Sequence, residues 1–294
     1  MSTISININL NNEQPINPPT TGFTYVDQGN YLVLEAGSQP FTLYSDSATS
    51  CIITIVVATK GPKNWVTLAH LDSPACIQSF FKLITEQEAD SYQIVTQGAN
   101  PPDNATSLEN AAQLKSSILE LGSKVTFEQL FLLEGNPQEN NRGNFGIAYN
   151  GSSTATVSNQ PYTLALYQRD PTCGGQTVYC IMRRQENPPV QLRNAGVPFT
   201  HAELVELSSI AIQFYKDPSD PSTAFTNIVN LESEEIRQQW STTPAYEAPW
   251  FSDQLKLGAV FAIAMAPLVN LSAQHLCKTT PPSFSTMRTA LLSR

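Results

Sequence analysis

The sequence predicts an α+β protein, a layered, mostly antiparallel sheet with flanking helices. Three observations carry that class. Short β-branched runs bounded by polar turns read as strands, Ile52-Ile53-Thr54-Ile55-Val56-Val57 most clearly. Amphipathic stretches with apolar residues at i, i+3, i+4 and i+7 interrupt the strands without alternating strictly with them. A series of strands then follows one after another through the middle of the chain, which favours meandering antiparallel pairing.

From the N-terminus, Ile4, Ile6, Ile8 and Leu10 alternate as a strand does, whereas a signal peptide would need a continuous apolar core. Pro15, Pro18 and Pro19 form a connector, so residues 1–20 lead into a single domain spanning 21–277. Strands are expected at 23–35 and 41–44. The small polar loop Ser45-Asp46-Ser47-Ala48-Thr49-Ser50 then delivers Cys51 onto the head of the 52–57 strand. Lys60-Gly61-Pro62-Lys63-Asn64 is turn chemistry, and Trp65-Val66-Thr67-Leu68 climbs back into Ala69-His70-Leu71-Asp72.

Pro74 opens a helix through Gln87, with Ile77, Phe80, Phe81 and Ile84 on one face. A strand at 92–97 runs into a helix opened by a capping box, Thr106-Ser107-Leu108-Glu109, with Leu108, Ala112, Ile118 and Leu119 as its apolar face. Further strands are predicted at 125–134, 144–149, 154–158, 162–168 and 177–183, the last two separated by Cys173-Gly174-Gly175. The stretch from His201 to Lys216 reads as a helix, yet Ile210 to Tyr215 also alternates like a strand. Helices at Ser233–Trp240 and Trp250–Ala266 close the domain, and residues 278–294 read as a disordered tail.

A chain of 294 residues is long enough to bury a substantial core. Its net charge of −9, with neither a basic cluster nor a basic amphipathic helix, argues against nucleic acid or an anionic membrane as partner. An acidic surface suits a cationic group such as the free α-amino end of a peptide. The five cysteines, Cys51, Cys76, Cys173, Cys180 and Cys277, have no metal-ligand spacing. Cys173 and Cys180 could bridge a loop, but a reduced, cytoplasmic setting is the simpler reading. His201 and His275 stand isolated, so no metal and no cofactor is expected. The apolar run Leu257–Leu271 is too short for a membrane span, is broken by Pro267, and reads as a buried helix. The sequons at Asn104, Asn150 and Asn270 carry little weight without secretion.

Folding the hairpin about its turn pairs residues whose numbers sum to about 122–124. Cys51 then faces the neighbourhood of residue 72, and His70 lies diagonally opposite at roughly 7–8 Å. An imidazole at that range can lower the pKa of a thiol and yield the thiolate nucleophile of acyl-transfer chemistry. Taken singly, each residue also fits a plainer role, because cysteine is among the most buried residue types and strand histidines commonly serve structure. The polar loop and the hairpin together single the pair out.

The segment from Tyr44 to Asp72 resembles the active-site region of the protein N-terminal asparagine amidohydrolase family, in which an S-D-x-A-T-x-C loop precedes a strand and a T/A-H-x-D segment. Ile94-Val95-Thr96-Gln97-Gly98-Ala99 is similar to the family's strand, glycine turn and helix start. Asn144-Phe145-Gly146-Ile147-Ala148-Tyr149-Asn150 is similar to its G-I-A-V-N strand. Ser241-Thr242-Thr243-Pro244-Ala245-Tyr246-Glu247-Ala248-Pro249-Trp250-Phe251 is similar to its S-T-x-P-x-x-E-x-P-x-F segment. The four segments lie in the family's order between about residues 25 and 266. The chain departs from the family at its Met1-Ser2 start, where members have proline after the methionine. It departs also at Ser47, where an acidic residue is usual, and at Tyr44, where glycine is.

The resemblance implies a Cys-His deamidase fold and removal of ammonia from the side-chain amide of an N-terminal asparagine, leaving aspartate. Cys51 is then the nucleophile and His70 the general base, with a thioester intermediate and no cofactor. Asp46 and Asp72 compete to orient the imidazole, and each also fits an ordinary loop or turn role. Ser50 and the backbone amides of the 47–51 loop are candidate oxyanion donors. Glu247 is a candidate acceptor for the substrate's α-amino group, or else a carboxylate serving the helix that follows it. Two other readings stay open: a glutamine deamidase of the chemotaxis-receptor or bacterial-toxin type acting on internal Gln, and a degenerate member that binds a protein terminus without turnover.

Overall fold

The computed structural model describes residues 3–12, 14–182, 192–214 and 228–274. The fold is α+β. The span expected to form one domain, 21–277, falls into two compact units. The first comprises Met1–Ala165, Gln191–Val197 and Thr242–Ala248; the second comprises Leu166–Val190, Pro198–Ser241 and Pro249–Arg294. The tail predicted at 278–294 lies outside the described residues.

The first unit holds two sheets. One has the order β1 (Ser5–Asn9), β10 (Thr154–Ser158), β9 (Phe145–Tyr149), β4 (Phe41–Ser45), β2 (Phe23–Tyr25). The other has the order β11 (Arg193–Asn194), β3 (Asn30–Glu35), β6 (Lys63–Leu71), β5 (Ile52–Lys60), β7 (Ser91–Gly98), β8 (Val125–Leu132). Both are antiparallel through their interiors, and each of the four edge strands joins in parallel: β1 to β10, β2 to β4, β11 to β3 and β8 to β7. Parallel neighbours need long connections, and β8 reaches β7 by the crossover helix α2.

The β5–β6 hairpin is the organising element. Its register runs from Ile52↔Leu71 to Lys60↔Lys63, a constant sum of 123 within the expected window. Gly61 and Pro62 make the turn, with Gly61 at φ +55°. Side chains of a strand alternate faces. Ile53, Ile55 and Val57 of β5 and Val66 and Leu68 of β6 therefore pack towards Leu43, Phe145, Ile147 and Val157 of the other sheet. Ile52, Val56, Ala69 and Leu71 pack the opposite way, against α1 (Pro74–Glu86) and α2 (Ala105–Glu120). The unit is thus a sheet, a second sheet and a helix pair in three layers.

Several expectations are corrected. The stretch 23–35 is two strands in different sheets, parted at Gly29, whose φ of +73° turns the chain. Helix α2 is capped by Asn104, whose Oδ1 accepts the Ser107 N–H at 3.2 Å, and not by a box starting at Thr106. Its buried face is Ser107, Asn110, Ala111, Leu114, Ser117 and Ile118, whereas Leu108 and Leu119 are exposed. Polar side chains hold the buried face, and that hid it from an apolar pattern.

The strands predicted at 162–168 and 177–183 are not found among the described residues. Leu166–Arg169 is the short helix α3 and Gly175–Met182 is helix α4. The buried carboxylate of Asp170 caps the turn between them. Its Oδ2 accepts the N–H groups of Gly174 at 3.1 Å and Thr177 at 3.0 Å, and the Thr177 hydroxyl at 2.9 Å. Capping and helix packing here override the β propensity of Thr177-Val178-Tyr179-Cys180-Ile181. Among the described residues Cys173 and Cys180 are not bridged. His201–Phe214 is helix α5, which resolves its ambiguity in favour of the helix; residues 215 and 216 lie outside the described set. Helix α6 spans Ser233–Trp240 as predicted. Helix α7 spans Phe251–Gln274 and runs past the predicted stop at Ala266, with Pro267 exposed within it. Among the described residues no helix is long and apolar enough to cross a membrane.

Candidate active site

Cys51 ends the polar loop one residue before β5, and its carbonyl accepts the Ala99 N–H at 2.8 Å. Extending the register by one step sets Cys51 against residue 72, just past β6, and residue 99, just past β7. His70 and Gln97 both pair with Ile53, one on each side. All three therefore share the face of Ile53 and Cys51, directed between the two sheets, with His70 and Gln97 diagonal to Cys51. Cys51 is 6% exposed and His70 2%.

His70 is held from the neighbouring sheet. Its Nδ1 lies 2.8 Å from Ser45 Oγ, and the Ser45 hydroxyl donates its single proton to Val26 O at 2.6 Å. Ser45 can then only accept from the ring, which assigns the proton to Nδ1 and the basic lone pair to Nε2. That is the tautomer a general base needs. In the sequence Ser45 stands out only as the first residue of the polar loop, with nothing that marks it as the partner of His70.

Three successive carbonyls of the loop are tied on one side. Thr49 O accepts the Asn100 N–H at 2.8 Å, Ser50 O accepts Asn110 Nδ2 at 2.9 Å, and Cys51 O is held by Ala99. In a trans peptide the C=O and the next N–H point in opposite directions, and the peptides of this loop are trans. The Ser50 N–H consequently faces away from Asn100, and the Cys51 N–H away from Asn110 of α2. The Ala48 N–H is taken by Gly143 O at 3.1 Å, so it leaves the set of candidate oxyanion donors.

Backbone strain gathers around this loop. Ser47 has φ +60° and Ala99 φ +56°, both rare for residues with a Cβ, and Gly98 has φ +136°. A Cβ on Gly98 would stand 2.2 Å from Cys51 O, so only glycine lets β7 approach here.

No family model matches the chain, and no curated protein matches it either.

The remaining candidates lie in the same unit. Asp46 accepts the Tyr25 hydroxyl at 3.0 Å and the Ser47 hydroxyl at 3.1 Å. Asp72 accepts Gln28 Nε2 at 2.8 Å. Tyr44 donates to Asn144 Oδ1 at 3.0 Å, joining the first resembling segment to the third. Glu247 is half-buried and linked to the loop: Thr243 Oγ1 lies 2.9 Å from Thr49 Oγ1 and 3.4 Å from Glu247 Oε1. The fourth segment therefore returns to the Cys51 loop from far along the chain. Sequence reasoning missed Ser45, Gln97, Asn110 and Thr243. Gln97 could have been found as a polar residue inside a buried strand, and Asn110 as one on the buried face of a helix.

Beside Gln97 opens a cleft of about 300 Å³, with Phe131, Glu134 and Arg142 among its walls. Arg142 pairs with Glu134 at 2.8 Å. Gln97 Nε2 donates to the carbonyls of Arg142 and Asn144, so the cleft wall is fastened to the face that carries Cys51.

Proposed function

We propose that the protein is a Cys-His amidohydrolase that converts an N-terminal asparagine to aspartate and releases ammonia. The observation that carries the reading is the shared face of Cys51 and His70 on one hairpin, with Ser45 holding the imidazole in the tautomer that leaves Nε2 basic. His70 takes the Cys51 proton, and the thiolate attacks the carboxamide carbon. The carbonyl oxygen becomes an oxyanion, for which the N–H groups of Ser50 and Cys51 are the candidate backbone donors. The C–N bond breaks as His70 returns the proton to the leaving nitrogen, which departs as ammonia. Water, deprotonated by His70, then attacks the thioester, and the carboxylate and free thiol result.

Terminal specificity rests on Glu247. A carboxylate tied through Thr243 to the nucleophile loop suits an α-ammonium held a fixed distance from the thiol.

One peptide series tests both parts: Asn-initiated, Gln-initiated, acetyl-Asn-initiated and internal Asn, with ammonia as the readout. Turnover of the free Asn peptide alone is expected. Equal rates on the free and acetylated peptides would sink the terminal reading and leave an internal deamidase. No ammonia from any member would remove the hydrolase.

A further inference from the structure

Behind the Cys51 loop, on the α2 side, three fully buried side chains carry polar atoms without a hydrogen-bonding partner among the described residues. These atoms are Asn100 Oδ1 and Nδ2, Ser107 Oγ and Asn110 Oδ1. Other atoms of the same residues fix their positions. The Asn100 N–H holds Thr49 O, and Asn110 Nδ2 holds Ser50 O, so the two bracket consecutive peptide groups of the loop. Ser107 lies one turn before Asn110 on the buried face of α2.

Buried polar groups in native proteins find partners, because an orphan bears the whole cost of its lost hydration. Four such atoms, on two residues that hold consecutive carbonyls of one loop and on a third one turn away along α2, are too many to leave unexplained. They comprise one amide donor, one hydroxyl and two amide oxygens, with no formal charge. That mixture matches water, which donates two hydrogen bonds and accepts others, and it neither neutralises an ion nor lines an apolar cavity.

We propose that Asn100, Ser107 and Asn110 enclose an internal hydration site that braces the Cys51 loop from behind. The bound water completes the hydrogen bonding of Asn100 and Asn110, which hold the carbonyls of Thr49 and Ser50. It thereby helps to keep the Ser50 and Cys51 N–H groups directed to the other side. The site is independent of what Cys51 does.

Two measurements test it. Asn100→Leu nearly conserves volume, so the sign of its effect discriminates. A dry orphan amide replaced by Leu raises the Tm, whereas loss of a hydrated one lowers it, by about 2–5 °C. Ser107→Ala is compared with Ser116→Ala on the exposed face of α2, which corrects for alanine's helix preference. In the wild-type protein, water-selective NMR should show cross-peaks from a long-lived water to the Asn100 and Asn110 side-chain amide protons. A raised Tm for Asn100→Leu overturns the site, and so does absence of those cross-peaks. If the variants fail to fold, the wild-type spectrum alone decides.

Discussion

At the turn end of the β5–β6 hairpin, Lys60 and Lys63 face one another and reach Glu88 at 3.5 Å and Glu35 at 3.1 Å, all four side chains largely in water. At the mouth end of the same two strands, Cys51 and His70 are buried, and their surroundings are held by residues of β4, the β7–α2 connection and α2. Both ends are polar. They differ in what supplies the partners: mobile side chains and solvent at the turn, fixed backbone and buried amides at the mouth. Exposed pairs of the first kind contribute about 0–1 kcal/mol, whereas orphaning a buried group costs about 1–3 kcal/mol. One hairpin therefore combines a tolerant end with an intolerant one.

The largest contrast concerns chemistry. Cys51→Ala or Cys51→Ser should abolish ammonia release without unfolding the chain, as circular dichroism would verify, while alanine at Cys76, Cys173, Cys180 or Cys277 preserves turnover. Full activity in Cys51→Ala would discard the mechanism. A second contrast uses identical substitutions at the two ends. Gly98→Ala puts a Cβ 2.2 Å from Cys51 O at φ +136° and should destabilise by about 3–5 kcal/mol in urea titration. Gly61→Ala has no atom within 4 Å at φ +55° and should cost only about 1–2 kcal/mol. Equal costs would mean that the close approach at Gly98 does not exist in solution.

Smaller effects sharpen the picture. Ser45→Ala removes the acceptor that sets the His70 tautomer, and kcat should fall roughly ten- to hundredfold, about 1.4–2.8 kcal/mol. The fall should come with little change in KM. Glu247→Gln should instead raise KM for Asn-initiated peptides by roughly tenfold and leave kcat closer to wild type. A kcat effect without a KM effect would move Glu247 out of substrate binding. The smallest change belongs to the turn: Lys60→Ala and Lys63→Ala should alter stability by no more than about 0.5 kcal/mol and leave rates untouched.

What could be read from the chain follows from periodicity. The β-branched run at 52–57 and the turn at Gly61-Pro62 were enough to register Cys51 against residue 72 and to share a face with His70. Ser45 was not legible in this role, because it acts through hydrogen bonds made across layers, and no local pattern encodes which layer will cover a residue. The strand readings at 162–168 and 177–183 failed for a related reason. Thr177-Val178-Tyr179-Cys180-Ile181 favours a strand locally, and a single carboxylate, Asp170, fixes the helix start that overrides it.

The contacts that furnish the site span very different lengths of chain. Ser45 and His70 are 25 residues apart, Ser50 and Asn110 60, and Thr49 and Thr243 194. Loop closure grows costlier with separation, and synthesis delivers residues in order. On the ribosome the hairpin that pairs thiol and imidazole is available early, its brace on α2 later, and the segment carrying Glu247 last of all. The nascent chain thus acquires the thiol and imidazole proposed to react well before the carboxylate proposed to select a substrate for them.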